Sequence, residues 1–206
     1  MGDAWAMIEK TVIDGATVLT LARPDKANAL TAEMLADLRD GVLGAQTAVL
    51  ILTGQGHVFS AGADLDAARA GLATSPLWEE LSGAIAAYPG LTIAALNGTA
   101  AGGAMGMVLA CDLRVAAQTS KFFYPVMELG FLPQPSDPAR MATLIGPARA
   151  KQIFMAGAKI TAKTALSWGL VDALVPAEEV LFKALTWAEK PTQSKPGHAA
   201  AIKALF

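Results

Sequence analysis

The sequence predicts an α/β fold with parallel strand pairing, and three observations predict it. Continuous apolar runs at Ala48–Leu52 (AVLIL) and Leu91–Leu96 (LTIAAL) suit strands buried on both faces. Segments with apolar residues at helical spacing lie between the strand-like runs. Each of the two apolar runs also leads into a glycine-bearing corner, Phe59–Leu65 (FSAGADL) and Asn97–Asp112 (NGTAAGGAMGMVLACD). Strands alternating with helices in this way indicate layered α/β packing.

In chain order, Met7–Ile13 and Ala16–Leu21 flank Asp14–Gly15, a dipeptide that favours a two-residue hairpin. A polar loop, Arg23–Leu30 (RPDKANAL), precedes Thr31, which can cap a helix with Met34, Leu35 and Leu38 on one face. After the first corner, Ser75–Pro76 opens a helix running towards Tyr88, with Leu77, Trp78, Leu81 and Ile85 inward. The second corner closes a strand at Leu91–Leu96 and opens a short apolar helix at Ala104–Cys111. Strands at Leu113–Ala116 and near Lys121–Tyr124 follow. Pro125–Pro138, with four prolines in fourteen residues, reads as an irregular loop. Helices are expected after Ser136, Pro147, Thr161 and Pro176, with Gly169 as a helix stop before Leu170–Val175. No sequence repeat is visible. A core over 1–176 and a short helical C-terminal region over 177–206 are the expected divisions.

With 206 residues, 53% hydrophobic and 17% charged, the chain is long enough for one substantial core. A formal net charge of −2 leaves no basic footprint for nucleic acid. Cys111 is the only cysteine, which excludes an intrachain disulfide or a cysteine-rich metal site and suits a cytoplasmic location. Asp3 and Glu9 interrupt any leader-like start. Leu91–Cys111 is uncharged over twenty-one residues, a membrane-span length, but Asn97, Gly98 and Gly102–Gly103 divide it into strand, turn and helix. No membrane partner is expected.

Glycines at a strand-to-helix corner let a ligand approach the backbone and leave helix-start N–H groups free to face developing negative charge. Alone, such a corner favours the plainer reading of a tight turn plus a buried helix. Five segments in register add to it: Pro24–Leu30, Phe59–Leu65, Asn97–Gly98, Gly102–Gly103 and Cys111–Asp112. In that order they resemble the crotonase, or enoyl-CoA hydratase/isomerase, superfamily, and Pro147–Asp172 continues the match. The resemblance implies a crotonase-like ββα spiral, here with a shortened helical C-terminal region. It further implies an acyl-CoA thioester substrate in fatty acid metabolism, with coenzyme A as part of the substrate and no permanently bound cofactor or metal. Assembly as a homo-oligomer, a trimer or hexamer, is the family habit, weakened by the short C-terminus.

Carried over by position, the resemblance makes the backbone N–H groups of Ala63 and Gly103 the oxyanion hole for a thioester enolate. Lys26, Ala27, Ala61, Asp64 and Leu65 match nucleotide-binding positions; most of those contacts are backbone ones, and Lys26 is equally an ordinary solvated lysine. Hydratases of the family, which are lyases, supply two glutamates. Their positions here hold Gly106 and Val126. Tyr124–Pro133 (YPVMELGFLP) is closer to the peroxisomal-type Δ3,Δ2-enoyl-CoA isomerases, whose proton-shuttling glutamate falls at Gln134. An amide is no base near neutral pH.

Three polar side chains remain near the acid/base positions. Gln134 can orient water or a substrate group. Glu128 lies two residues beyond the second hydratase slot, and Asp137 is either a substitute base or the start of the following helix. Ser136 reads as a cap, His57 as a loop histidine, and His198 is unassigned. The sequence thus supports an isomerase-like enolate-stabilising enzyme. The alternatives are an acyl-CoA-binding protein without acid/base chemistry, or a thioester hydrolase or decarboxylase.

Overall fold

The computed structural model describes residues 7–206; Met1–Ala6, including Asp3 of the leader reading, lies outside it. Strands β1 (Ile8–Ile13) and β2 (Ala16–Leu21) form an antiparallel hairpin. Asp14 and Gly15 turn it with φ of 48° and 81°, the left-handed pair that such a turn demands. Helix α1 (Ala32–Leu43) starts at Thr31, whose side chain accepts the Met34 N–H, and buries Met34, Leu35, Leu38 and Val42.

Three similar passages follow. In each, a strand of a large sheet is succeeded by a short strand of a small sheet and then by helix. The first is β3 (Val49–Gly54), β4 (Val58–Ser60), α2 (Leu65–Arg69) and α3 (Leu77–Ala86). The second is β5 (Leu91–Leu96), β6 (Thr99–Ala101) and α4 (Ala104–Ala110). The third is β7 (Leu113–Ala117), β8 (Lys121–Phe123), α5 (Val126–Leu129), α6 (Asp137–Ile145) and α7 (Pro147–Phe154). The chain closes with β9 (Ile160–Thr161), α8 (Ala162–Trp168), β10 (Ala173–Val175), α9 (Val180–Thr192) and α10 (His198–Lys203).

The large sheet has the order β1-β2-β3-β5-β7-β10 and is parallel beyond the first hairpin; the small sheet has the order β4-β6-β8-β9. Because the strands of the two sheets advance together, each corner between a small-sheet strand and its helix stacks beside the next. The main core lies on the inner face of the large sheet, around Leu19, Leu50, Phe59, Leu96 and Phe122. On the opposite face α9 sets Val180, Ala184 and Ala188 against Val18, Ile51, Ile93 and Val115.

Three local expectations are corrected, and Asp64 gains a structural role. Thr99–Ala101, read as part of a turn, is a strand pairing with Phe122 and Phe123; three small residues fit beside a neighbouring strand without a hydrophobic run to announce them. The proline-rich stretch contains the single helical turn α5, closed by Gly130 at φ 71°. Ser136 precedes α6 but does not cap it, because its hydroxyl is drawn 2.6 Å from the Glu79 carboxylate. Asp64, matched only to a nucleotide position, caps α2 by accepting the Asp66 and Ala67 N–H groups.

Candidate active site

The loop Arg23–Leu30 and the corner Phe59–Leu65 are tied into one unit. Asn28 is fully buried in a left-handed conformation (φ 52°). Its side chain accepts the Arg23 N–H and donates to Gln55 O and Val58 O at 2.9 and 2.8 Å. Ser60 Oγ donates to Asn28 O, and Ala61 N–H donates to Ala27 O. Leu30 N–H donates to Gly62 O, while Asp64 N–H donates to Leu30 O. Arg23 then pairs with Asp64 at 2.8 Å, and that contact holds the Asp64 carboxyl below the ordinary carboxylate range. Among the described residues, every backbone N–H from Ala61 to Asp64 thereby has an acceptor except that of Ala63.

The second corner abuts the first. A Cβ at Gly62, where φ is 94°, would stand 2.8 Å from Ala101 O and 3.4 Å from Gly102 Cα, so only glycine permits the approach. Gly102 N–H donates to Phe123 O, and the next N–H, that of Gly103, has no acceptor among the described residues. Gly103 sits under Trp78: a Cβ there would lie 3.0 Å from the indole ring, which its own Nε1–H bond to Leu72 O (2.7 Å) holds in place.

Ala63 and Gly103 border a single cavity of about 210 Å³. Ala61, Leu65, Trp78, Tyr124, Val126, Leu129, Phe131, Leu132 and Gln134 complete most of its wall. Its mouth is apolar: Leu65 and Leu132 are 68% and 88% exposed. Unpaired N–H donors in an apolar recess interact strongly with an oxygen that gains negative charge.

The remaining sequence candidates fall in different places. Gln134 lines the cavity, with its Nε2 donating to Ala73 O at 3.2 Å. Glu128 is exposed and does not line it, because the single turn of α5 that buries Val126 turns Glu128 outward. Lys26 is exposed, and neither Lys26, Ala27 nor Asp64 reaches the wall. His57 is exposed on its loop. Asp137 does begin α6, yet it is 0% exposed, and its Oδ2 accepts the Tyr124 hydroxyl at 3.0 Å. Burial raises its carboxyl to about 7; Glu79 adds to the rise, while Tyr124 and Arg140 oppose it. Burial pushes the Cys111 thiol up to about 12, which keeps it neutral and unreactive.

Sequence reasoning passed over Tyr124 and Trp78 as site residues. Tyr124 belonged to a quoted loop motif, which was the available signal. Trp78 gave none, since its helical spacing marks it equally as core.

A layered α/β spiral with two unengaged backbone donors at abutting glycine corners is an arrangement able to receive an oxygen that gains charge. The family model for enoyl-CoA hydratase/isomerase matches residues 12–206, and the chain belongs to that family. Carnitinyl-CoA dehydratase of Salmonella enteritidis is 35% identical over 202 residues, covering 91% of this chain and 75% of that protein. The crystal structure of enoyl-CoA hydratase from Bacillus anthracis superposes with a TM-score of 0.89 at 31% identity, over 96% of this chain and 81% of that one. DspI of Pseudomonas aeruginosa gives 0.89 at 30% identity, over 99% and 81%. The fold is therefore that of the crotonase superfamily. Among the described residues no helix is long and apolar enough to cross a membrane.

Proposed function

We propose that this chain binds an acyl-CoA thioester with its carbonyl oxygen between the N–H groups of Ala63 and Gly103, and that it promotes proton transfer through the resulting enolate. The observation carrying this reading is that these two donors lack acceptors among the described residues and border the same cavity. A proton leaving the carbon next to the thioester sends its electron pair onto that oxygen, and each preorganised donor contributes on the order of 3 kcal/mol to stabilising it. Double-bond isomerisation fits better than hydration. Water addition requires a base for water and an acid for carbon, and the two hydratase slots hold Gly106 and Val126. The apolar mouth formed by Leu65, Leu129 and Leu132 suits a hydrocarbon acyl group.

Coenzyme A enters as part of the substrate, beside the Lys26–Ala27 loop, with no resident cofactor. Exposed Ile202, Leu205 and Phe206 at the C-terminal end support self-association, and a single buried thiol supports a cytoplasmic setting. A second reading, acyl-CoA binding without turnover, draws support from the engagement of Gln134 by Ala73 O.

The test is a panel of trans-2-, cis-3- and β-oxo acyl-CoAs, followed for binding, hydration, isomerisation and thiol release. Isomerisation of the 3-enoyl thioester is expected. Binding without turnover selects the second reading, and hydration alone overturns the isomerase assignment.

A further inference from the structure

On α4, Gly106 carries no side chain, and the space beside it is filled from another helix. A Cβ at Gly106 would stand 3.1 and 3.3 Å from the two oxygens of Asp137. Asp137 begins α6 and is buried; Oδ2 accepts the Tyr124 hydroxyl, and Oδ1 has no partner among the described residues. An unpartnered carboxyl oxygen in the interior is costly, so its retention calls for a use. Tyr124 lines the cavity that Ala63 and Gly103 share.

We propose that Tyr124 and Asp137 form the acid/base relay of this site, with Tyr124 meeting the acyl carbon and Asp137 holding the proton behind it. The inference rests on the functional reading above.

In the forward step, a proton passes from C2 of a 3-enoyl thioester to the Tyr124 oxygen while the Tyr124 hydroxyl proton passes to Asp137. The C–H electron pair forms the C1=C2 bond, and charge moves to the thioester oxygen between the two N–H groups. In the return step, Asp137 gives its proton back to the Tyr124 oxygen as Tyr124 protonates C4. The oxygen's electron pair re-forms the carbonyl, leaving a C2=C3 bond. Tyr124 is neutral before and after, which matters because burial and the neighbouring Asp137 both oppose its ionisation.

The groups facing Asp137 set its proton affinity. Glu79 reaches over from α3, holding the Ser136 N–H and hydroxyl, and Arg140 lies one turn along α6. Burial outweighs Arg140, and the carboxyl is held at about 7, where it both takes and returns a proton.

The experiment measures exchange of the C2 protons of butanoyl-CoA with deuterium, and isomerisation of a 3-hexenoyl-CoA, from pH 5.5 to 9. Acyl-CoA affinity is followed in parallel. In the wild-type chain both rates should rise through about pH 7. Tyr124→Phe and Asp137→Asn should each lower them by about 100-fold or more and abolish the rise, while acyl-CoA affinity is retained. The paired change Gly106→Glu with Asp137→Gly returns a carboxylate to α4 in the same space and should restore part of the rate, which a purely structural role for Asp137 would not predict. Binding with exchange indifferent to both single substitutions overturns the relay alone, whereas binding with neither exchange nor isomerisation overturns the relay and selects acyl-CoA binding without turnover. No acyl-CoA binding by the wild-type chain overturns the functional reading and the relay with it.

Discussion

The indole of Trp78 lies 3.0 Å from the point where a Cβ on Gly103 would stand. This contact ties the backbone donor to a buried aromatic side chain on another helix. Gly103→Ala must therefore displace a ring already anchored to Leu72 O. Overpacking of this kind costs about 1–3 kcal/mol. Urea unfolding should show that loss, and acyl-CoA affinity should fall as the N–H group shifts. An unchanged affinity would separate Gly103 from the binding site.

Asp137 makes stability depend on pH in an uncommon direction. Its carboxyl rises from the ordinary carboxylate value to about 7 on folding, so the folded chain binds the proton more tightly than the unfolded one. Its contribution is most favourable at low pH and is lost as pH climbs to about 7, to the extent of a few kcal/mol. Thermal unfolding from pH 5 to 8.5 should show the wild type losing more stability than Asp137→Asn, which carries no charge to bury. Parallel curves would refute the assignment.

Asn28→Ala removes an acceptor for Arg23 N–H and two donors to Gln55 O and Val58 O, inside a site with no exposure. A loss of roughly 2–4 kcal/mol is expected from the groups left unpaired, together with relaxation of the left-handed turn. Chemical denaturation measures it. Asn28→Asp keeps the acceptor but not the donors and should fare little better.

Gln134→Glu places a carboxylate on the cavity wall and removes the bond to Ala73 O. If this is the isomerase slot, conversion of 3-enoyl to conjugated 2-enoyl thioester should increase by about tenfold or more, read from the absorbance of the conjugated product. An unaltered rate would argue that the slot is no longer aligned with the reacting carbons.

Local chemistry by itself determined much of this protein. Asp14–Gly15 required a left-handed turn, Thr31 and Thr161 capped their helices, and Gly169 ended one with φ 86°. AVLIL and LTIAAL specified strands with no solvent face. These signals act within a few residues, so they are written in the chain order. The family resemblance was equally legible, because Gly62 is enforced by its left-handed φ and the nearby Ala101 O, and Gly103 is crowded by the Trp78 ring.

The tertiary structure decided what depends on neighbours distant in sequence. The threefold alternation between sheets left no repeat in the residues, since a strand such as Thr99–Ala101 needs only to be small and paired. Ser136 lost its capping role to Glu79, fifty-seven positions away. The environment of Asp137 was beyond sequence for the same reason. A carboxyl after a proline-rich loop has no local feature showing that it will enter the space left by Gly106 and meet Tyr124. Only the packing of α6 against α4 brings the three together, and burial there gives an ordinary aspartate its altered proton affinity.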